Sequence, residues 1–270
     1  MPGHRGSRTQ VQTLMQTFAT GRQIIMNRRR LIMSLSAVLA GCGSGIDPPP
    51  TNLAFDGNSL TYGFMEAPPG RVSKPYPSQI VAAPKNYAVS GVTWDEMAAS
   101  SEVDDAMVAG AHNTLVAWET TNTACIAYAY GRDYVSANAL GATTYLQARR
   151  AAGWNRIILL SSIPREALLA AISDEQKIVM NGALLACDDD MAVNYLAYGA
   201  TDYLNLRWGP LDFIGNGWTF GGNGSGFDAL ASIYGDGGFW LPSAQEPPGH
   251  RIHLADGGYA LIAQLVKQRL

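Results

Sequence analysis

Charged residues, histidines and cysteines are scarce in this chain of 270 residues, with four His and three Cys. Charged residues make up 15% and hydrophobic residues 47%. This is enough apolar material for one sizeable core, in a length that does not demand two domains. The N-terminal apolar run Leu31–Leu39 is too short to cross a hydrocarbon core of ~30 Å as a helix. A membrane-spanning helix is therefore not expected there.

The segment before residue 42 is predicted to be a targeting signal. Three arginines, Arg28 to Arg30, precede the short apolar run, which is the order of a signal peptide. The Leu-Ala-Gly-Cys that follows resembles the bacterial lipobox, in which the cysteine, here Cys42, is lipidated and becomes the first residue. We expect a lipoprotein signal at 1–41, with Met26 as an alternative start. An ordinary cleaved signal, or a buried helix that ends in cysteine, is the competing interpretation.

Removal of that signal leaves an acidic protein. Six of the 19 Lys and Arg residues precede Cys42 and none of the 22 Asp and Glu residues does, so the remainder has a formal charge of −9 (13 positive against 22 negative). An acidic body argues against nucleic acid and anionic lipid headgroups as partners. We expect a monomer held in the cell envelope, on the outer membrane or facing the periplasm, by a lipid on Cys42.

Two cysteines, Cys125 and Cys187, remain in the predicted mature protein. In an exported protein an even pair of this kind is either bridged or buried as free thiols. The spacing in the sequence leaves both alternatives open.

Beyond a linker at 42–51, short apolar runs alternate with helix-like stretches. The runs are bounded by Gly, Asn, Asp or Pro, which is typical of strands buried on both faces of a sheet. The alternation predicts an α/β domain over 52–270, with three α/β/α layers and a flavodoxin-like, mostly parallel sheet of about five strands. The predicted strands are Asn52–Phe55, Asn86–Val89, Thr114–Trp118, Arg156–Ser161 and Asp202–Leu206. The predicted helices are Trp94–Ala109, Asp133–Ala152, Asp174–Leu196 and Gly258–Arg269.

One stretch, at about 208–249, interrupts this alternation and is rich in Gly and aromatic residues. It is too aromatic for a disordered linker and too irregular for a helix. It is either an ordered excursion that shapes one wall of a site or a flap packed on the body.

Three consecutive acidic residues, Asp188 to Asp190, are predicted to form a solvated patch, because consecutive helix residues point to different faces. No His, Cys and carboxylate cluster has the spacing of metal ligands. We therefore expect neither a metal ion nor another cofactor.

A serine and a histidine at opposite ends of the predicted domain fall where such a sheet presents its functional edge. Ser59 follows the first predicted strand on a glycine-flanked turn, which suits a nucleophile that needs exposure and nearby backbone N–H groups. His253 precedes the last predicted helix and can return to the same edge as a general base. His112 lies at the amino end of the third predicted strand and is interpreted as structural.

Four segments together resemble the blocks of the SGNH/GDSL hydrolases, a family of serine esterases and lipases. Asp-Gly-Asn-Ser-Leu at 56–60 resembles block I, and Asn-Tyr-Ala-Val-Ser-Gly at 86–91 resembles block II. Trp-Glu-Thr-Thr-Asn at 118–122 resembles block III, and the segment around residue 253 resembles block V. The segments occur in the family's order over most of the predicted mature chain, and the resemblance implies the SGNH hydrolase fold.

The resemblance also implies roles for single residues. Ser59 is expected to attack an ester and His253 to act as its base. The backbone N–H groups of Ser59 and Gly91 and the side-chain amide of Asn122 are expected to form the oxyanion hole. In block III, however, Thr120 and Thr123 replace the usual Gly and Asp, which puts the loop geometry in doubt more than Asn122 itself.

Block V departs from the family's pattern at a more consequential position. The carboxylate that usually stands three residues before the base is replaced by His250, and an imidazole cannot be the anion that orients a protonated His253. Three alternatives stay open. A carboxylate from the excursion substitutes, with Asp236 or Glu246 as candidates; a backbone carbonyl orients the base in a Ser–His dyad; or the site is degenerate.

We therefore expect an esterase that hydrolyses an acyl ester, with acetyl favoured, on a small molecule or a glycan. The aromatic excursion favours a glycan, because flat aromatic faces pack well on sugar rings. The alternative is a non-catalytic, glycan-binding surface lipoprotein with a degenerate SGNH site.

Overall fold

A computed structural model describes residues 51–65, 70–163, 174–206 and 253–270. All of them belong to one compact unit, Pro49–Leu270. The predicted signal peptide and Cys42 lie outside the described residues, as does the excursion at about 208–249.

The central sheet contains five strands, and each hydrogen-bonded pair of neighbours is parallel. The strands of the described residues are β1 (Thr51–Gly57), β2 (Phe64–Met65), β3 (Gly70–Arg71), β4 (Lys85–Asn86), β5 (His112–Trp118), β6 (Arg156–Leu160) and β7 (Asp202–Leu204). The sheet order is β4-β1-β5-β6-β7, while β2 and β3 form a separate antiparallel pair. Counted along the sheet's own strands the order is 2-1-3-4-5, which is the flavodoxin-like arrangement. The predicted sheet is confirmed.

The helices of the described residues vary widely in length. They are α1 (Ser59–Tyr62), α2 (Tyr76–Ile80), α3 (Trp94–Ala99), α4 (Thr121–Ala129), α5 (Tyr134–Ala152), α6 (Asp174–Tyr198), α7 (Asp256–Lys267) and a 3₁₀ helix (Glu102–Ala106). None of those described is long and apolar enough to cross a membrane.

The predicted single helix Trp94–Ala109 is wrong in its length. A capping box joins Thr93 and Glu96 at its start, as the sequence suggests. The α-helix nevertheless ends at Ala99, because Ser100 takes an extended backbone (φ −104°, ψ 142°). The chain then continues as the separate 3₁₀ helix.

Alternate strand residues bury two separate cores, one on each face of the sheet. Phe55 of β1 faces a core with Tyr76 of α2 and Tyr259 of α7. Ala54, its neighbour, faces the other core with residues of α3, α5 and α6, among them Tyr145. Both faces are therefore covered by helices, which confirms the three-layer α/β/α class.

Cys125 and Cys187 lie in a third, smaller apolar cluster between α4 and α6. Neither cysteine forms a disulfide, and both are buried. Burial raises the pKa of the Cys187 thiol well above its ordinary range. Of the two alternatives for this pair, the structure supports buried thiols without a bridge.

The prediction of a solvated acidic patch at Asp188 to Asp190 is wrong for Asp188. Asp188 is fully buried, and its carboxylate accepts hydrogen bonds from the backbone N–H (2.8 Å) and the hydroxyl (2.7 Å) of Ser162. Its face of α6 turns inward to the carboxyl end of β6, whereas Asp189 is exposed. Consecutive residues do point to different faces of the helix, as expected, but the face that carries Asp188 is buried.

Gly57 makes the contact between β1 and β5 possible at their carboxyl ends. The two strands pair along their whole length, and Gly57 lies opposite Trp118. Its φ is +153°, and an added Cβ would lie 2.3 Å from the Trp118 carbonyl oxygen and 2.6 Å from Thr61 Oγ1. A side chain at this position would have to push the two strand ends apart.

We expect Gly57→Ala to lower the free energy of unfolding by at least about 2 kcal/mol, since the backbone conformation alone costs about 1–3 kcal/mol and the clash adds to it. Urea unfolding followed by circular dichroism measures the change. The matched control is Gly182→Ala in α6, where a Cβ meets no described residue within 4 Å; it should leave stability unchanged or raise it by up to about 1 kcal/mol. Equal midpoints for Gly57→Ala and the parent would contradict the expected clash.

Candidate active site

Ser59 lies on a turn that Asn58 pins to the end of β5. The backbone N–H of Asn58 donates to the Trp118 carbonyl (3.2 Å) and its side-chain Nδ2 to the Glu119 carbonyl (3.1 Å). Its Oδ1 accepts from the N–H of Leu60 (2.9 Å), which caps the first turn of α1. Ser59, the first residue of α1, is 8% exposed. The serine is thus held in one orientation at the carboxyl edge of the sheet.

Gly91 lies on the loop that follows β4, on one side of this turn. Backbone pairing with β1 continues past the end of β4, since the N–H of Val89 donates to the Gly57 carbonyl (3.0 Å). Gly91 is exposed, has a φ of +87°, and a Cβ built there would meet none of the described residues within 4 Å. Among the described residues, this side of Gly91 is therefore uncovered.

Asn122 lies on the other side of the turn, in the first turn of α4 after β5. Its side-chain Nδ2 donates to the Val92 carbonyl (2.9 Å) and its backbone N–H to Glu119 Oε1 (2.9 Å). An amide nitrogen carries two N–H groups, so the Val92 contact uses one of them. Asn122 therefore joins the loop after β5 to the loop that contains Gly91.

His253 is buried beside the segment that follows the serine. Its ring centroid lies 5.2 Å from that of Phe64, the first residue of β2, which follows α1 directly. The carboxylate of Asp256, at the start of α7, accepts from the Ser73 hydroxyl and from the Lys74 N–H (2.9 Å). These contacts fix the beginning of α7, and with it His253, to the chain after β3.

Three of the four predicted site residues follow adjacent strands of the parallel sheet. Ser59 follows β1, Gly91 follows β4 and Asn122 follows β5, so all three lie at one edge. His253 reaches the same neighbourhood through Phe64.

His112 lies far from these residues, as its structural interpretation predicts. His112 is the first residue of β5 and is exposed at its amino end, at the opposite edge of the sheet. The candidate orienting groups, Asp236, Glu246 and His250, lie outside the described residues. Within the described part of the chain no group of three or more His, Cys, Asp or Glu side chains is arranged to hold a metal ion.

Glu119 is a fully buried acid at this edge that the sequence analysis did not identify. Its Oε1 accepts from the backbone N–H groups of Asn122 (2.9 Å) and Thr123 (3.0 Å), and its Oε2 accepts from the Thr123 hydroxyl (2.8 Å). Burial raises the pKa of this carboxyl from 4.5 to about 7, although the hydrogen bonds from Thr123 and Asn122 oppose the change. The sequence signal that could have identified Glu119 is its position in the segment 118–122, directly after a buried strand.

A second buried acid, Asp56, lies near the end of β1. It accepts from the Tyr145 hydroxyl (2.5 Å) and from the N–H of Gly57 (2.8 Å). Burial raises its pKa to about 6. Its side-chain partner Tyr145 belongs to the core on the α5 face of the sheet, so we interpret Asp56 as a support of the strand end.

We expect the buried Glu119 to make the protein less stable as the pH rises. Its pKa is 4.5 when unperturbed and about 7 when folded, so between these values only the folded state keeps the proton. The free energy of unfolding should therefore fall from about pH 4.5 to about pH 7 and then level off. Urea unfolding at a series of pH values measures this decline, to which Asp56 adds in the same direction.

The variant Glu119→Gln should decline less over this pH range than the parent. The control Glu102→Gln changes an exposed acid of the 3₁₀ helix and should keep the full decline. An identical pH dependence in the parent and Glu119→Gln would show that the Glu119 carboxyl does not titrate in this window.

Comparison with known proteins gives structural matches alone. No protein-family model and no curated protein sequence matches the chain. Among solved structures it is similar to a gut microbial diltiazem-metabolizing enzyme, at 14% identity and a TM-score of 0.51 over 83% of this chain. The match covers 48% of that protein, so this chain spans about half of its length.

Two further solved structures are similar over 83% of this chain, each at 14% identity. One is a mutant of an acetyl-xylooligosaccharide esterase from Geobacillus, with a TM-score of 0.47 and 95% of that protein covered. The other is a provisionally assigned GDSL-like lipase from Parabacteroides merdae, with a TM-score of 0.49 and 96% covered. At such identities the likeness concerns the fold, which the sheet order defines independently.

Proposed function

We propose that this protein is a serine hydrolase that cleaves an acyl ester. The observation that carries the proposal is the placement of Ser59, Gly91 and Asn122 on three neighbouring strand ends, with the serine turn pinned between the other two loops. A buried histidine beside Phe64, the second residue after the serine helix, supplies a base. This set matches what acyl transfer requires, namely a nucleophile, a base and donors for an oxyanion.

In the proposed reaction Ser59 Oγ attacks the ester carbonyl while His253 takes its proton. The backbone N–H groups of Ser59 and Gly91 and the second N–H of Asn122 Nδ2 donate to the oxyanion of the tetrahedral intermediate. The C–O bond then breaks, and protonated His253 gives its proton to the leaving alkoxide. Water, deprotonated by His253, attacks the acyl-enzyme and releases the acid and the free serine.

We propose an acetyl ester on a small molecule or a glycan as the substrate. Val89, which is 55% exposed, precedes the open Gly91 by two residues and offers an apolar contact at the mouth of the site. Phe64, half-buried beside His253, offers an aromatic face of the kind that packs on a sugar ring.

We expect Ser59→Ala to abolish hydrolysis of p-nitrophenyl acetate by the full chain, because no other group in the proposed mechanism attacks the ester. Asn122→Ala should lower kcat by about 10²–10³, the usual cost of one oxyanion donor. Nitrophenolate release measures both. The control Asn194→Ala removes an amide from α6 that donates to Asp190 and should retain the parental rate.

Two results would contradict this mechanism. Parental turnover in Ser59→Ala would exclude Ser59 as the nucleophile. An inactive parent that binds acetylated glycans as well as Ser59→Ala does would favour the non-catalytic binding protein instead.

Substitution of His250 distinguishes the alternatives for the orientation of His253. We expect His250→Asp to raise kcat, because it restores a carboxylate three residues before the base, and the absence of such a carboxylate can cost up to about 10⁴ in rate. The control His250→Asn lacks the charge and should give no gain. Without a gain in His250→Asp, a loss in Asp236→Asn or Glu246→Gln would identify a substitute carboxylate.

A further inference from the structure

We propose that Glu119 and Thr123 are positioning residues that hold the loops of Gly91 and Asn122 in register around Ser59. This inference rests on the proposed function, since it assigns a task to residues behind the same site. Neither residue is placed to touch the reacting atoms; each acts through the donors that it holds.

The first contact set fixes Asn122 to the end of β5. The Glu119 carboxylate accepts the backbone N–H groups of Asn122 and Thr123, which are unpaired donors of the first turn of α4. Thr120 precedes α4 but forms no side-chain cap bond. The Glu119 side chain accepts the donors that such a cap would bind. The first turn of α4, and with it Asn122, takes its orientation from Glu119.

The second contact set joins α4 to α3. The Thr123 hydroxyl donates to Glu119 Oε2 (2.8 Å) and accepts from the backbone N–H of Trp94 (3.0 Å). Trp94 is the first residue of α3, three residues after Gly91. The single hydroxyl therefore connects the buried carboxylate to the element that ends the Gly91 loop.

A return contact closes these bonds into a ring. Asn122 Nδ2 donates to the Val92 carbonyl (2.9 Å), next to Gly91. The ring runs from Glu119 through Thr123 to Trp94, back along the chain to Val92, and through Asn122 to Glu119. Because a ring constrains each member twice, the spacing between the loop of Gly91 and the amide of Asn122 is fixed.

The serine turn is attached to the same ring. The carbonyl of Glu119 accepts from Asn58 Nδ2 (3.1 Å), and Asn58 directly precedes Ser59. One residue therefore touches the chain on both sides of the proposed oxyanion, through its carbonyl towards Ser59 and through its carboxylate towards Asn122.

The cost of burying this acid supports a role beyond stability. A fully buried carboxyl is expensive even when it is well hydrogen-bonded, and an apolar residue of similar volume is often as stabilising or more so. The carboxylate, however, can accept three donors at once in a fixed fork. Positional accuracy matters in such sites, because a misplacement of about 1 Å can cost on the order of 10²-fold in rate.

Thr123→Val in the full chain tests the ring, since valine keeps the shape of threonine and removes its hydroxyl. With p-nitrophenyl acetate we expect kcat to fall about 10- to 100-fold while KM changes less than about twofold, because oxyanion donors act in the transition state. Thr123→Ser restores the hydroxyl and should recover kcat to within about threefold. Glu119→Gln should lower kcat about 10-fold with KM again unchanged.

The matched control is Thr144→Val on α5, where an exposed hydroxyl donates to the Leu140 carbonyl (2.9 Å); it should keep the parental kcat. Parental kcat in Thr123→Val would overturn the proposal. An equal loss in Thr123→Val and Thr123→Ser would also overturn it, because the hydroxyl would then not carry the effect.

Amide hydrogen exchange tests the ring without turnover. In Thr123→Val the Trp94 N–H loses its acceptor, so exchange should quicken both in the segment 91–97 and in the segment 119–124. Unchanged exchange in either segment would overturn the coupling. An inactive parent whose exchange responds in this way would refute the proposed hydrolase and leave the ring intact, so the two failures are distinguishable.

Discussion

The architecture of this site depends on the close approach of β1 and β5 at their carboxyl ends. Their pairing persists to the last residue of each strand, with Gly57 opposite Trp118. The missing side chain at Gly57 leaves the Trp118 carbonyl accessible to the N–H of Asn58. As a consequence the turn that carries Ser59 and the turn that carries Glu119 emerge side by side, and every later contact of the site builds on that pair of turns.

Two buried acids stabilise this edge from different directions. Asp56 bonds to Tyr145 in the core on the α5 face, whereas Glu119 bonds to the loops at the sheet edge. Burial raises the pKa of both, to about 6 and about 7. Desolvation is thus the shared cause in both acids, while their hydrogen-bond partners lie in different parts of the fold.

Much of the fold could be predicted from the sequence because its strands are buried on both faces. Continuous apolar runs such as Thr114–Trp118 and Arg156–Ser161 correspond to β5 and β6. Helices α1, α2 and α4 were missed, since each is short and is defined by turns and tertiary contacts rather than by an apolar period. The long prediction at Trp94–Ala109 failed because a single extended residue, Ser100, ends the helix.

The site residues that follow strand ends could be predicted from the sequence. The contacts between residues far apart in the sequence could not. Ser59, Gly91 and Asn122 each follow a strand, so the rule for parallel sheets locates them. By contrast, the bond between Trp94 and Thr123 joins residues 29 positions apart, and no local pattern signals it. The burial of Asp188 could not be predicted for the same reason, since its hydrogen-bond partner Ser162 lies 26 positions away.

The Thr123 side chain suits its place beside the buried Glu119. An aspartate at this position would place a second carboxylate within hydrogen-bonding distance of a fully buried one, and two like charges so close cannot both be ionised. A threonine hydroxyl avoids that conflict, since it donates to Glu119 and accepts from Trp94 at the same time. Glu119 and Thr123 thus satisfy each other's hydrogen-bonding groups, and the same hydroxyl extends that contact to α3.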